Sequence, residues 1–232
     1  RAMRRAGLNR VYRLKLAQDA DVKAVAEEFA KDENVEYAEP NYIAEAAFFD
    51  PSDALLDLQW GLRATRVHDP GVESAWDIQQ GDDQVEIAVI DTGVDLDHPD
   101  LANQLWVNVG ETAGDATDND NNGRVDDTYG WDFVNNDNNP QDDNGHGTHV
   151  AGIAAAETNN AMGVAGVCPN CRIMVLKALG SNGRGNVAHL AAAVEYAVNK
   201  ESPVINMSWG LTVDSETLRD VLELASTETV LV

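Results

Sequence analysis

Four continuous apolar segments constrain the fold of this chain more than any other feature. They are VEIAVI (85–90), RIMVLKAL (172–179), PVINMS (203–208) and TVLV (229–232). An uninterrupted apolar run is typical of a strand that is buried on both faces. Between the runs lie amphipathic helical patterns, with apolar stripes over 187–198 and 218–225. The alternation of strand and helix predicts an α/β domain whose parallel sheet is flanked by helices.

A smaller α+β unit is predicted before this domain. The segment RVYRLKLA (10–17) alternates like a strand, and Asp21 can cap a helix that carries apolar residues from Val22 to Phe29. NVEYAEPNYIAEA (34–46) is expected to return as extended chain, because its proline is incompatible with a helix interior. We therefore expect three parts, namely a small unit over 1–47, a linker over 48–58 and the α/β domain over 59–232.

The charge of the chain excludes several classes of partner. The net charge is −24, from 40 acidic and 16 basic residues. Such a surface disfavours nucleic acid and anionic membranes. No apolar run reaches the roughly 18 residues that a membrane-spanning helix needs. We expect no nucleic acid and no membrane as partners, and we expect a monomer.

The acidic residues are concentrated between Asp115 and Asp143. This stretch holds nine Asp and seven Asn, and Arg124 is its only cation. Three interpretations are open: a solvated acidic loop, a surface adapted to salt, or a set of ligands for bound cations. The segment DNDNNGRVDD (118–127) favours the third, because its oxygen donors follow the spacing of an EF-hand calcium loop.

In that spacing Asp118, Asp120 and Asn122 hold positions 1, 3 and 5, and the carbonyl of Arg124 holds position 7. Position 12 is Tyr129 where an EF-hand has Glu. We expect the site to be closed by Asp126 or Asp127 instead, and we predict Ca²⁺ as the bound ion.

Two cysteines form the sequence CPNC, at Cys168 and Cys171. Such a pair can be a redox centre, half of a zinc site or a local disulfide. No second C-x-x-C is present to complete a zinc site. The pair does not open a helix of a thioredoxin-like pattern, so we favour a structural loop; the sequence leaves open whether a disulfide closes it.

Two polar motifs lie at the ends of predicted secondary-structure elements, where functional side chains are often found. AVIDTGVDLDHPDL (88–101) places Asp91 at the carboxyl end of a buried strand, although an Asp that only bonds its own turn would look the same. NGHGTHVAG (144–152) places His146 at the start of a helix predicted to run to about Ala156. The glycines beside His146 keep bulky side chains away from its ring, which favours a functional role.

Two glycine-bearing segments also follow predicted strands. They are LGSNGRG (179–185) and VINMSWG (204–210). Ligands of parallel sheets bind at the carboxyl ends of strands, and two extended edges can hold an extended peptide between them. Ordinary strand-to-helix loops are the alternative. The candidate substrate-binding residues are Gly183, Arg184, Gly185, Ser208, Trp209 and Gly210.

Taken together, VIDTGVDLDHPDL, NGHGTHVAGIAAA and VINMSWG closely resemble the subtilisin-like serine proteases, or subtilases, over residues 59–232. The resemblance implies that Asp91 is the carboxylate of a catalytic triad and that His146 is its general base. The order Asp, His, Ser along the chain is the one known for subtilisin. It also implies that Ser208, Trp209 and Gly210 bind the substrate backbone opposite Gly183–Gly185, with Trp209 and Arg184 shaping side-chain preference.

One departure from the family pattern concerns the nucleophile. In subtilases the oxyanion-hole asparagine and the serine of a G-T-S-x-A segment follow the strand that begins at TVLV, so both are expected beyond Val232, and Ser208 is not the nucleophile. We predict a secreted serine endopeptidase precursor that hydrolyses polypeptides, inactive as the present chain. The alternative is a calcium-binding, non-catalytic subtilase-like domain that only holds peptides.

Residues 10–47, notably VEYAEPNY, resemble the inhibitor-like pro-domain of these proteases. This implies that the chain carries its own intramolecular chaperone and inhibitor. QWGL (59–62) resembles the start of the mature domain, which predicts processing within about 46–53.

The family resemblance also implies a second calcium site. Its ligands would be side chains of Asp53, Asp100 and Asn160 and the backbone oxygens of Glu157, Met162 and Val164.

Overall fold

The computed structural model describes residues 14–40, 51–62 and 72–232. The chain divides into two compact units, Arg1–Ala47 and Phe48–Val232. Within the described ranges, none of the helices combines the length and the apolar character needed to cross a bilayer.

The first unit contains helix α1, Val22–Phe29. The carboxylate of Asp21 accepts the backbone N–H groups of Lys23 and Ala24, so the predicted cap is present. The strands predicted on either side are wrong for residues 14–17 and 34–40, which form no strand. Helix α1 buries none of its residues, so within residues 14–40 it offers no apolar surface that a strand covers. The rest of the predicted strands, residues 10–13 and 41–46, lies outside the described residues.

The second unit is built on a parallel sheet. Its order is β2-β3-β1-β4-β5, and every pairing is parallel. The strands are β1 (Glu86–Asp91), β2 (Gly130–Asp132), β3 (Arg172–Lys177), β4 (Val204–Asn206) and β5 (Val230–Leu231). The four apolar runs of the sequence supply β1, β3, β4 and β5, whereas the edge strand β2 was not predicted.

Helices cover both faces of this sheet. After the short helix α2 (Val72–Trp76) come α3 (His146–Ala155), α4 (Val187–Asn199) and α5 (Glu216–Ala225). Side chains of Asn186 and Ser215 cap α4 and α5 by accepting N–H groups three residues on. The predicted α/β class, a parallel sheet flanked by helices, is confirmed.

Alternate residues of β1 pack into the two apolar clusters on the two faces of the sheet. Ala88 and Ile90 pack with α4 and α5, whereas Ile87 and Val89 pack with α3. This is the two-residue period of a strand. Asp91 continues the odd-numbered series, so its side chain is directed to the α3 side of the sheet, at the carboxyl end of β1.

Candidate active site

Asp91 is the last residue of β1 and is completely buried. Its Oδ1 accepts the backbone N–H of Thr92 at 2.7 Å, which fixes the carboxylate against the turn that follows the strand. Within the described residues its other oxygen, Oδ2, is buried without a hydrogen-bond partner. The carboxylate is thus held rigidly in a position where its charge is poorly solvated.

His146 begins helix α3, as predicted, and its ring reaches Asp91. The distance from His146 Nδ1 to Asp91 Oδ1 is 2.8 Å, and the histidine side chain is 48% exposed while the carboxylate is 0% exposed. A carboxylate at Nδ1 favours the tautomer with the proton on that nitrogen. Nε2 on the open side of the ring is then free to accept a proton.

Gly147 allows the helix to come this close to β1. A Cβ atom at this position would lie 2.1 Å from the carbonyl oxygen of Gly93 and 3.1 Å from Cβ of Asp91. Any larger residue would push the start of α3 away from the turn after β1. The His-Gly pair is therefore required by the close approach of the two backbones.

Asp142 joins the turn after β1 to the start of α3. Its Oδ1 accepts the hydroxyl of Thr92 at 2.8 Å and the N–H of Gly145 at 3.0 Å, and its Oδ2 accepts the N–H of Thr148 at 3.0 Å. Thr92 in turn accepts the N–H of Gly147 at 2.9 Å. Burial acts to raise the pKa of Asp142, but these hydrogen bonds outweigh it and the pKa lies below its ordinary value.

The edge at 208–210 lies next to the carboxyl end of β4. Trp209 is half-buried, and its indole N–H donates to the carbonyl of Ile90 at 2.9 Å, so this edge is tied to β1. Ser208 is exposed and donates its hydroxyl to Asn206 Oδ1 at 2.9 Å. A cavity of about 470 Å³ opens beside Trp209, lined also by Leu211, Val213 and Leu218.

The opposite edge, 179–185, forms a tight turn with its tip in solvent. The N–H of Gly180 donates to the carbonyl of Arg184 at 2.9 Å, and Gly183, Arg184 and Gly185 are exposed. The side-chain amide of Asn144, two residues before His146, donates to the carbonyl of Ser181 at 2.9 Å. This contact links the approach to α3 to the edge predicted to bind substrate.

The acidic loop at 118–127 does not place all of its predicted ligands together. Carboxylate oxygens of Glu111, Asp120 and Asp127 lie within 4.8 Å of one another. Asp118 instead accepts the N–H groups of Asn122 and Gly123. The predicted ligand Asp126 also turns away, since its carboxylate accepts N–H groups of residues 114–116.

Side chains around this acidic cluster compensate its charge. The amide of Asn122 donates to Asp120 and Asp127, and the ammonium of Lys200 forms an ion pair with Asp120. Burial acts to raise the pKa of Asp120, but the Lys200 and Asn108 hydrogen bonds outweigh it and the pKa is lowered. The Tyr196 hydroxyl donates to Asp127 at 2.7 Å, and burial together with this carboxylate raises the pKa of the phenol.

Arg124 anchors the acidic loop to the core. Its guanidinium lies 4.9 Å from the ring centroid of Tyr196 and 5.0 Å from that of Phe133. Its side chain therefore stacks on the aromatic rings of Tyr196, in helix α4, and Phe133, directly after β2, a cation–π arrangement. The proposed contribution of its backbone carbonyl to a metal site stays a prediction.

At the second predicted cation site, the carboxylates of Asp53 and Asp100 both accept hydrogen bonds from the loop over 159–164. Asp100 accepts the amide of Asn160 at 2.7 Å and the N–H of Val164 at 2.9 Å. Asp53 Oδ2 accepts the N–H of Asn159 at 2.7 Å, while its Oδ1 is buried without a partner among the described residues. Burial raises the pKa of Asp53, and the charge of Asp100 adds to this.

Gly163 is needed where this loop passes Asp100. It has a positive φ of 43°, and a Cβ there would lie 1.9 Å from Asp100 Oδ2. Glu157 donates its N–H to the carbonyl of Asp100 at 2.9 Å, and Met162 donates to the side chain of Asn160 at 2.8 Å. The loop therefore packs closely around the buried carboxylate of Asp100. The neighbouring Asp53 Oδ1 has no hydrogen-bond partner among the described residues, and a hard cation such as Ca²⁺ would bind such an oxygen.

The two cysteines form a disulfide, Cys168–Cys171. The structure thus selects the disulfide-closed loop from the alternatives that the spacing left open. The loop packs against the chain near Gly81, where the N–H of Asn170 donates to the carbonyl of Gln80 at 3.0 Å.

Three residues of the site had no clear signal in the sequence. Thr92 and Asp142 hold the turn and the helix start together, and Glu111 joins the acidic cluster from seven residues before the loop. Asp142 precedes His146 by four residues, and a carboxylate at that distance from a helix start could have been noted as a capping residue. Nothing in local spacing pairs Glu111 with Asp127.

The sequence was compared with protein families and with individual known proteins. The Subtilase family is matched over residues 82–229, and the Fervidolysin N-terminal prodomain over residues 7–41. The chain is 42% identical to the Thermophilic serine proteinase of Bacillus sp. (strain AK1) over 205 residues, which cover 88% of this chain and 44% of that protein.

Two further relatives extend the comparison. Thermitase of Thermoactinomyces vulgaris is 40% identical over 151 residues, covering 65% of this chain and 46% of thermitase. The Halolysin-like extracellular serine protease Nep of Natrialba magadii is 34% identical over 183 residues, covering 78% of this chain and 29% of Nep. The chain thus spans less than half the length of these relatives. With a buried aspartate bonded to a histidine at the carboxyl edge of a parallel sheet, and with this match over most of its length, the chain belongs to the subtilase family.

Proposed function

We propose that the chain is part of a serine endopeptidase precursor and that it supplies the carboxylate and the general base of the catalytic triad. The observation that carries this proposal is the 2.8 Å contact between Asp91 and His146. Asp91 holds the imidazole in the required tautomer and stabilises the imidazolium that forms during reaction. His146 removes the proton from a serine hydroxyl through Nε2.

The serine belongs to the segment beyond Val232. It attacks the carbonyl carbon of the scissile peptide bond, and His146 then passes the proton to the leaving amine, which leaves an acyl-enzyme. Water hydrolyses this ester by the same proton path in reverse. Ser208 is not assigned this role, because its surroundings, VINMSWG, resemble the substrate-binding segment of the family and not G-T-S-x-A.

An extended polypeptide lies between two edges of the site in this proposal. Ser208, Trp209 and Gly210 contact the substrate backbone on one side, and residues 183–185 contact it on the other. The cavity of about 470 Å³ beside Trp209 supports a side-chain pocket there. Arg184 is exposed at the tip of the opposite edge, where its charge can influence side-chain preference.

Residues 1–47 act as a pro-domain in this proposal. The prodomain match over residues 7–41 supports an intramolecular chaperone and inhibitor, removed by the cleavage expected within about 46–53. The domain at 59–232 is the first part of the catalytic domain. We further propose that the precursor is secreted, as the name of Nep states for that protein, and that the mature enzyme is a monomer.

Calcium is the cation that both acidic sites suit best. Asp53, Asp100 and Asn160 would hold one ion, assisted by backbone oxygens of Glu157, Met162 and Val164. Support comes from the buried, unpartnered Oδ1 of Asp53 and the charge of the neighbouring Asp100. The bound ion would supply charge compensation and would stabilise only the folded state.

The acidic loop would hold a second ion through a set that differs from an EF-hand. Glu111, Asp120 and Asp127 offer converging oxygens. Asp118, Asn122 and Asp126 would join this set only after rearrangement, because their side chains already bond to neighbouring groups of the acidic segment. Arg124 would contribute its backbone carbonyl. Lys200 would have to leave Asp120, so binding at this loop is expected to be weaker than at Asp53.

The proposal is tested with the full-length protein, extended beyond Val232. We expect it to cleave a protein substrate such as casein, and we expect His146→Ala to abolish this cleavage. His149→Ala is the matched control, since His149 lies on the same helix and is exposed. Equal activity in the His146 variant would refute the base assignment, and a folded wild-type protein without any cleavage would favour a non-catalytic, calcium-binding domain that holds peptides.

A further inference from the structure

Lys177 is a buried lysine at the carboxyl end of β3, with 1% of its surface exposed. It ends the interior strand β3, RIMVLK, directly after the apolar residues IMVL. A buried ammonium is costly unless it is paired and fully hydrogen-bonded. The position therefore calls for a reason other than packing.

The ammonium of Lys177 donates to three oxygens. They are the carbonyl of Thr92 at 2.6 Å, the Oδ1 of Asp143 at 2.6 Å and the carbonyl of Leu179 at 3.2 Å. An ammonium carries three N–H donors and no acceptor, so three acceptors satisfy it completely. No other natural side chain offers three donors from a single small group.

The three acceptors belong to three different parts of the proposed active site. Thr92 follows the carboxylate residue Asp91, Asp143 precedes His146 by three residues, and Leu179 begins the edge at 179–185. Lys177 is also the register partner of Asp91 in the sheet. The carbonyl of Asp91 accepts the N–H groups of Ala178 and Leu179 at 2.9 and 3.0 Å, which ties the same two segments a second time.

We propose that Lys177 is a positioning residue for the Asp91–His146 pair. Its ammonium fixes the turn after Asp91 through Thr92 and fixes the approach to His146 through Asp143. The inference rests on the proposed peptidase function for its kinetic consequence, but the contact that Lys177 positions can be observed without any activity. Lys177 itself touches neither the substrate nor the reacting atoms.

Lys177→Met is the direct test, because Met retains much of the length and none of the donors. The carbonyls of Thr92 and Leu179 would lose a buried donor, and the Asp91 turn would relax. We expect kcat to fall about 10- to 100-fold, since a displacement on the order of 1 Å can cost about 10²-fold. KM should change less than about threefold, because the exposed substrate edges remain in place.

Asp143→Ala is the second variant, for the case that Lys177→Met does not fold. The Asp143 side chain is 49% exposed, so its loss is tolerated more easily, and Lys177 keeps its two carbonyl partners. We expect kcat to fall about three- to tenfold, the size of one ordinary hydrogen bond, because water screens this half-exposed carboxylate. Asp137→Ala is the matched control, since it removes an exposed carboxylate from the same acidic segment at a position without a lysine partner in the described structure.

The readout that separates positioning from mere stability is the proton on His146 Nδ1. In the wild-type chain we expect a downfield proton resonance from the hydrogen bond to Asp91, assigned by its loss in His146→Ala. Lys177→Met, or Asp143→Ala if the first does not fold, should broaden or shift this resonance under conditions where circular dichroism shows a folded protein. The Asp137 control should leave it unchanged.

Two results would overturn the positioning role. One is a folded Lys177→Met variant with wild-type kcat and an unchanged proton resonance. The other, if that variant does not fold, is an unchanged resonance in Asp143→Ala. Absence of peptidase activity in the wild-type protein would refute the proposed function alone, because the resonance can still be measured in the present chain.

Discussion

Replacing Asp91 by Asn removes the charge of the buried carboxylate and preserves its size. Oδ1 accepts both the N–H of Thr92 at 2.7 Å and the ring nitrogen of His146 at 2.8 Å. The amide oxygen of an asparagine can therefore keep both hydrogen bonds. What the variant loses is the attraction between the carboxylate and the imidazolium that forms when His146 takes up a proton.

The size of this loss follows from the distance and the exposure of the pair. Unit charges 2.8 Å apart attract by about 6 kcal/mol at an effective dielectric constant of about 20. His146 is 48% exposed, so water screens part of this attraction. We expect about 3–6 kcal/mol in the transition state, which lowers kcat by about 10²- to 10⁴-fold.

The variant should remain folded. The new amide nitrogen would take the place of Asp91 Oδ2, which is buried without a partner among the described residues, so its two N–H donors would be left unpaired. Such a group costs about 1–3 kcal/mol of unfolding free energy, a loss that most domains tolerate. Thermal unfolding followed by circular dichroism measures this part separately from catalysis.

The assay is steady-state cleavage of a chromogenic peptide by the full-length protein. Asp97→Asn is the control, because Asp97 is an exposed carboxylate in the same segment. We expect the control to retain wild-type kcat. If Asp91→Asn also retains kcat within about threefold, the role assigned to the buried charge is wrong.

Three further predictions concern stability. EDTA should lower the melting temperature by about 5–10 °C if Ca²⁺ is present at about 100 times its Kd, and an unchanged melt would remove both calcium sites. Asp142 has a folded pKa below its ordinary value of 3.8, so its hydrogen bonds stabilise the fold above that pH and are lost as the pH falls through the lower folded pKa. Asp142→Asn should therefore flatten the fall of melting temperature below about pH 4, and an identical acid profile would contradict this sign. Gly147→Ala places a Cβ 2.1 Å from the oxygen of Gly93, which should cost about 1–3 kcal/mol in urea unfolding; wild-type stability would show that the close approach is not required.

The central part of the fold could be predicted because its signals are local and strong. Four apolar runs became strands of one parallel sheet, and the turn at Asp91 and the start of α3 at His146 followed from glycines and strand ends. The structure places these two side chains in hydrogen-bond contact, as the resemblance implied. Their catalytic roles remain predictions.

Other parts could not be predicted because they depend on tertiary contacts. Strand β2 has only three residues inside an Asn- and Asp-rich segment, so no apolar run marks it. It forms because Gly130 passes so close to Val175 that a Cβ there would lie 1.9 Å from the Val175 carbonyl oxygen.

The acidic loop shows the same limit. Spacing predicted ligands at every second residue, but the loop folds its own N–H groups onto Asp118 and the 114–116 segment onto Asp126. Glu111 and Lys200 enter from distant parts of the chain. Which carboxylates stay available to a metal depends on which of them accept backbone N–H groups in the folded loop. The spacing of residues along the sequence does not determine this.

The most direct test of the account is to identify the residue that a serine-directed fluorophosphonate labels in the full-length protein. Mass spectrometry of the labelled peptide should place the adduct on a serine in a G-T-S-x-A segment beyond Val232, and His146→Ala should prevent labelling. An adduct on Ser208, or labelling that persists without His146, would contradict the proposal that Asp91 and His146 activate a serine nucleophile.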